Sequence, residues 1–207
     1  MLLSEFDYEL PEELIAQYPT EKRDNSRMLV LDKNAHTIEH KHFYDIVDLI
    51  DENSVLILNN TKVIPARLFG EKEETGARIE VFLLKECANH DWEVLIKPSK
   101  RVKVGTQIKV ASELNVVVKE PLEDDGKWLV HLEYEGNIFE VLQRVGNIPL
   151  PPYIERKMTS DELKKLDFER YQTVYALNEG SVAAPTAGLH FTDEILERLK
   201  QKGVEIG

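Results

Sequence analysis

Apolar and polar positions change period three times along the chain of 207 residues. Near the start, Leu10 and Pro11 open a short helix that runs to Ala16, with Pro at the first helical position and Glu12 and Glu13 suited to the helix dipole. Residues 28–31 form an apolar run of strand length, 32–36 are turn-rich and 37–42 return in alternation, which predicts a hairpin. Phe43, Ile46, Val47 and Ile50 are spaced i, i+3, i+4 and i+7 and share one helical stripe. Residues 55–58 follow as a short apolar strand of the kind buried on both faces of an α/β sheet. It ends in Asn59, Asn60 and Thr61, just past a strand's carboxyl end, where α/β proteins place ligands.

From about Pro65 the period becomes two. Ile79, Val81 and Leu83 share a face, as do Trp92, Val94 and Ile96, and further strands are expected over 107–110, 115–118 and 128–132. Gly76, Gly105 and the cluster Asp124, Asp125, Gly126 punctuate them, a spacing that suggests a small barrel or sandwich. Helical spacing returns at Ile138, Val141, Leu142 and Val145, with Gly146 at the C-terminal cap. The pattern predicts a discontinuous α/β domain (1–64 and 149–207) with an inserted β domain (65–148), a small antiparallel β-barrel or a sandwich.

In the last part, Pro149, Leu150, Pro151 and Pro152 are stiff and extended. Residues 160–166 predict a short helix and 172–176 a strand. Residues 180–192 carry no charged side chain other than a protonated His190, and their Pro185 and Gly188 fit neither helix nor strand; a neutral loop of small residues can pack closely round a ligand. Thr192 caps the next helix, Phe191 and Leu196 are placed as a hydrophobic staple, Gly203 ends the helix, and 204–206 begin a strand.

Composition narrows the class. The net charge of −12 argues against broad electrostatic capture of nucleic acid, but the charge is uneven: residues 1–64 hold 6 basic and 13 acidic side chains. Between Val94 and Ala111 there is no acid, and Lys97, Lys100, Arg101, Lys103 and Lys109 supply five positive charges, a candidate phosphate-facing strip. A single cysteine, Cys87, excludes an internal disulfide and Cys-rich zinc motifs and suggests a reducing compartment. No apolar run approaches the roughly 18 residues of a membrane helix, and the first residues are acidic where a secretory signal is basic, so the expected location is the cytoplasm, without membrane association.

The cofactor fingerprints of dinucleotide and phosphate-loop proteins are absent. His36, His40 and His42 lie close together but without a carboxylate cluster, and no metal site is expected. Ser181 lacks the glycine-flanked elbow of an acyl-transfer nucleophile. His190 is the more interesting residue, a lone base in the neutral loop, just ahead of a helix N-terminus that favours the uncharged imidazole. On spacing alone it equally fits a histidine that hydrogen-bonds its loop, and Tyr153, Tyr171 and Tyr175 fit the core as well as a binding wall. These patterns yield an enzyme-like architecture and no substrate.

Four stretches resemble the S-adenosylmethionine:tRNA ribosyltransferase-isomerase family of queuosine biosynthesis: FDYELPEELIAQ (6–17), LNNTKVIPARLFG (58–70), IPLPPYI (148–154) and RYQTVYALNEGSVAAPTAGLHFT (170–192). Trp92 and KPSKRVKVG (97–105) follow the same pattern, so the resemblance spans the chain. It implies an α/β domain interrupted by a barrel. It also implies transfer and isomerisation of the ribosyl group of S-adenosylmethionine onto 7-aminomethyl-7-deazaguanine at the tRNA wobble position, giving epoxyqueuosine, adenine and methionine. S-adenosylmethionine would be consumed as a substrate, with no cofactor or metal, by a monomer. Asn60 and Lys62 stand where the family has Asp and Arg, and Lys lacks the bidentate reach of Arg. Family members also continue past Gly207.

The implied catalytic residues are His190, Thr186 and Thr192. The implied substrate-binding residues are Asn59, Asn60, Thr61, Arg67, Tyr153, Tyr171, Gln172 and Ser181, with Lys97, Lys100, Arg101 and Lys103 on tRNA phosphates. The competing expectation is a noncatalytic RNA-binding barrel module, or an inactive fragment.

Overall fold

The structure is a computed structural model that describes residues 2–123, 126–156 and 160–207. Asp124 and Asp125, part of the turn cluster expected from the sequence, lie outside the described residues. The predicted hairpin forms from β1 (Arg27–Asp32) and β2 (Thr37–His42), paired antiparallel from Arg27↔His42 to Asp32↔Thr37. The helical stripe becomes a 3-10 turn (Phe43–Asp45) running into α1 (Ile46–Leu49). The helix expected over 10–16 shrinks to one 3-10 turn, Glu12–Leu14. Leu10 and Leu14 are exposed, and a segment this short without a buried face does not repay helix nucleation.

Then come β3 (Val55–Leu56) and β4 (Thr61–Val63), followed by the strands of the barrel: β5 (Arg67–Lys72), β6 (Arg78–Glu86), β7 (Asp91–Lys97), β8 (Gln107–Ala111), β9 (Leu114–Pro121) and β10 (Lys127–Glu133). They close in the order β10-β7-β6-β5-β8-β9, every pair antiparallel. The period of two read from the sequence is the inward face: Ile79, Val81 and Leu83, Trp92, Val94 and Ile96, Val116 and Val118, and Val130 and Leu132 are all buried in one cluster. α2 (Ile138–Val145) contributes Ile138, Val141 and Leu142 to the same cluster, with Ile64 and Ala66.

Gly146 does cap α2, but with φ −82° it needs no left-handed freedom. What it needs is space. A Cβ there would overlap the Pro65 carbonyl oxygen and come within 2.7 Å of the Leu142 carbonyl oxygen. This close approach sits where the chain leaves the barrel, next to the reciprocal backbone pairing of Arg67 with Asn147.

The remainder consists of α3 (Asp161–Arg170), β11 (Asn178–Ser181), a 3-10 turn (Thr186–His190), α4 (Asp193–Gln201) and β12 (Glu205–Ile206). β11 pairs parallel with β4, and β12 pairs parallel with β3, so each small sheet joins a segment before the barrel to one after it. A second core cluster holds Val47, Phe191, Ile195, Leu196, Leu199 and Val204, and a third holds Val63, Ile148 and Leu150. Thr192 caps α4 by accepting from the Ile195 N–H (3.2 Å), Phe191 and Leu196 are buried together, and Gly203 follows with φ +97°.

Two further sequence expectations are corrected. Residues 55–58 are not buried on both faces: Val55 is 58% and Ile57 75% exposed, because β3 has β12 as its one neighbour among the described residues. Residues 172–176 form turns rather than a strand; the side chain of Gln172 takes the strand's place, its Oε1 accepting from Val63 N–H (2.9 Å) and its Nε2 donating to Val63 O (2.7 Å). The pairing strand is instead β11, whose polar sequence NEGS gives no apolar alternation. Among the described residues, no helix is long and apolar enough to cross a membrane.

Gly146→Ala is expected to lower unfolding stability by about 1–3 kcal/mol through overpacking against Pro65. Urea denaturation checks it, and a midpoint equal to that of the parent chain contradicts the close approach.

Candidate functional site

The segment 7–26 contains little regular structure, so its main-chain carbonyls need donors from elsewhere. Long polar side chains link it to the rest of the chain, in both directions. Arg23 donates to the carbonyls of Glu169 (2.8 Å) and Arg170 (3.2 Å), at the carboxyl end of α3, and to that of Leu189 (3.1 Å). Arg170 returns the interaction by donating to the carbonyls of Thr20 (2.8 Å) and Glu21 (3.2 Å). The site suits guanidinium, since the last carbonyls of a helix attract cations and a planar fork reaches several acceptors. Burial, with Arg170 close by, pulls the Arg23 pKa below its usual value.

Gln17 and Arg156 continue the lacing. Gln17 Nε2 donates to Tyr153 O (2.9 Å) and its Oε1 accepts from Glu155 N–H (2.7 Å). Arg156 binds Asp167 with two hydrogen bonds (2.8 and 2.9 Å), donates to Gln17 O (2.9 Å) and lies 5.4 Å from the Tyr18 ring centre. Asp167 is a buried acid on a charged helix, and this fork is what satisfies it.

These strands of chain enclose a cleft of about 290 Å³. Its walls come from 16–26, from 150–156, from the end of α3 and from the turn Thr186–His190. Tyr153, Tyr171, Thr186 and His190 all line it. The imidazole of His190 is half-buried against Phe43, with ring centres 5.3 Å apart. Burial raises the pKa of Tyr171, partly offset by its contact with the Ala184 backbone, so its phenol stays protonated and able to donate. Gly188 lets the loop lie flat: a Cβ would overlap the Tyr175 hydroxyl and come within 3.0 Å of Thr173. The Nε of Arg170, which also borders the cleft, is buried without a hydrogen-bond partner among the described residues.

The other expected site residues lie elsewhere. Thr192 caps α4 beside the cleft. Asn59 makes a turn to Thr61 N–H (3.0 Å), and Asn60 binds Asn178 and its neighbour through its backbone (2.8 Å to Leu177 N–H, 3.2 Å to Asn178 N–H) and Asn178 through its side chain (2.9 Å). β11, which begins beside Asn60, leads into the neutral stretch, whose Thr186, Leu189 and His190 line the cleft. Lys62 pairs with Glu179 (2.9 Å), Ser181 donates to Ala183 O (2.8 Å), and Gln172 is committed to Val63. Arg67 is on the barrel, 3.1 Å from Glu80 and above the Phe82 ring. Lys97, Lys100, Arg101 and Lys103 are exposed at the end of β7 and in the loop after it.

Sequence reasoning missed Arg23, Gln17 and Arg156, because no local pattern marks a side-chain donor whose acceptor is a distant backbone carbonyl or carboxylate. His40 and His42 are on β2 and His36 in its turn; among the described residues no group of three His, Cys, Asp or Glu side chains could hold a metal.

S-adenosylmethionine:tRNA ribosyltransferase-isomerases of Staphylococcus haemolyticus and Staphylococcus saprophyticus are each 50% identical over 208 aligned positions, covering 100% of this chain and 58% of the relative. A crystal structure of S-adenosylmethionine tRNA ribosyltransferase from Thermotoga maritima is 34% identical, covers 98% of this chain and 56% of that one, and superposes with a TM-score of 0.37. The chain thus spans a little over half the length of the curated relatives it matches. The family described as queuosine biosynthesis protein matches residues 3–207, and the chain belongs to that family.

Proposed function

We propose that this chain carries the ribosyl-transferring machinery of an S-adenosylmethionine:tRNA ribosyltransferase-isomerase. The reaction moves and isomerises the ribosyl group of S-adenosylmethionine onto 7-aminomethyl-7-deazaguanine at the wobble position of tRNA, leaving epoxyqueuosine, adenine and methionine. S-adenosylmethionine is a substrate here, and no metal or cofactor enters. The observation that carries this reading is that Thr186 and His190 of the uncharged loop 180–192 line the cleft together with Tyr153 and Tyr171.

The chemistry follows from the substrate. A sulfonium acidifies the adjacent C5′ hydrogens, and a neutral imidazole can remove one. His190 takes that proton, and the carbanionic character at C5′ drives loss of adenine, which leaves C1′ with its bonding pair and picks up a proton. The aminomethyl nitrogen of the modified base bonds to C1′ and gives up a proton, C5′ closes onto C1′ as the C1′–O4′ bond opens, and the freed O4′ displaces methionine from C5′ to form the epoxide. Thr186 and Thr192 hydrogen-bond around the site. Tyr153 and Tyr171 offer aromatic faces to the sulfonium, an attraction of about 0.5–2 kcal/mol for a cation over a ring. The reciprocal arginines hold the loop: Arg23 fixes the carbonyl of Leu189, the residue before His190.

The tRNA partner accounts for a local basic strip on an acidic chain. Anticodon-loop bases are single-stranded and can be turned out into a pocket, so recognition needs few phosphate contacts. Lys97, Lys100, Arg101 and Lys103 make them.

Two outcomes test the reading in a protein carried past Gly207 to the relatives' length. His190→Ala is expected to lower C5′ hydrogen exchange from labelled S-adenosylmethionine, and adenine release with it, by about 100-fold or more; undiminished exchange rejects the role. Charge reversal by Lys100→Glu with Arg101→Glu is expected to weaken tRNA binding and to flatten the dependence of log K on log salt by about 0.7–0.9 for each phosphate no longer neutralised. Affinity and slope equal to the parent's remove these residues from the interface.

A further inference from the structure

The outer face of the barrel is as ordered as its interior. In register, Phe69 on β5 is opposite Glu80 on β6, which is opposite Lys97 on β7. Two pairs along, Arg67 is opposite Phe82, and Phe82 is opposite Leu95. Directly opposed residues of antiparallel strands point to the same side, so these six side chains share the outward face. Arg67 is held there by Glu80 and by the Phe82 ring, and Phe82 is half-buried. Phe69 is left with 55% of its surface open to water.

Phe69 also borders two hollows. One, of about 630 Å³ on the barrel wall, contains Arg78, Lys97 and Lys109. The other, of about 520 Å³, runs from the barrel to α3 and contains Lys164 and Lys165. The acids in these hollows are largely committed: Glu80 to Arg67 and Asp167 to Arg156, which leaves Glu71 between Arg78 and Lys109 in register. On a chain of net charge −12, an open aromatic ring therefore sits between two groups of cations. A polyanion whose units carry flat π-faces is what such a surface complements.

We infer that Phe69 is a stacking platform for an unpaired RNA base, with Lys97 and Lys109 on one side and Lys164 and Lys165 on the other holding the flanking phosphates. The inference rests on the reading of tRNA as substrate and adds a second contact surface to it, continuous through Lys97 with the strip after β7. It requires no movement of the barrel, since Phe69 already stands clear of the core formed by Leu68.

The test is fluorescence anisotropy with a labelled, unmodified anticodon stem-loop RNA and the protein carried to the relatives' length. Phe69→Ala is expected to weaken binding about 5- to 150-fold, the loss of one stacked base, with an unchanged thermal midpoint. Phe69→Trp is expected to restore the affinity. Lys164→Glu with Lys165→Glu is expected to weaken binding and flatten its salt dependence. If Phe69→Ala and the double lysine variant bind like the parent while reversal at Lys100 and Arg101 still weakens the complex, the Phe69 surface is not an RNA site and the inference fails. If the parent protein does not bind the stem-loop, the tRNA reading itself fails.

Discussion

The cleft depends on one exchange of hydrogen bonds: Arg23 reaches the end of α3 and the loop before His190, while Arg170, at the end of that helix, reaches back to Thr20 and Glu21. Neither segment could hold the other by apolar burial, because residues 7–26 offer few buried side chains. Charged donors on partly buried carbonyls are stronger than neutral ones, about 1.5–3 kcal/mol against 0.5–1.5 in general. Removing a partner also leaves carbonyls without donors, which costs more than the bond itself. The interlock thus fixes two walls of the cleft at once, and Gln17 and Arg156 fix a third.

The same economy runs through the α/β part. Where a strand is missing, the amide of Gln172 reproduces both hydrogen bonds that a neighbouring strand would have given Val63. Where a side chain is missing, at Gly146 and Gly188, backbone or a phenol occupies its place. The barrel works differently. It is held by alternation, with Leu68, Ile79, Leu83, Ile108, Leu114 and Leu132 almost wholly removed from water, and it frees its outer face for polar and aromatic groups.

How much of this was legible follows from which interactions are local. Alternation at Ile79, Val81 and Leu83, or Trp92, Val94 and Ile96, marks strands because the period belongs to the backbone. Thr192 and the Phe191 and Leu196 pair marked the start of α4 for the same reason. β5 was not legible because Gly70 interrupts its apolar alternation, and β11 because Asn178, Glu179, Gly180 and Ser181 have none. The expected burial of residues 55–58 failed because burial is a property of neighbours, and β3 has one among the described residues. At the site, residue type and resemblance single out His190, Thr186, Tyr153 and Tyr171, and the structure brings the four onto one cleft. Arg23 and Gln17 were not, since a donor in an irregular segment reveals nothing of the carbonyl it will find more than a hundred residues away. For Asn59, Asn60, Ser181 and Gln172, the structure adds local hydrogen-bonding duties that spacing could not foresee.

The parallel pairing of β3 with β12 and of β4 with β11 has a consequence for synthesis on the ribosome. Val55 must wait for Glu205, and Thr61 for Asn178, whereas every strand that pairs with a barrel strand lies between Arg67 and Glu133. Contacts distant in sequence are slow to form because their loops must close first. The barrel can therefore mature while residues 55–63 are still without neighbours, and it draws their two ends together as it closes through Arg67 and Asn147. A nascent chain would leave those two short strands open to water, and to other chains, for as long as the ribosome needs to deliver their partners.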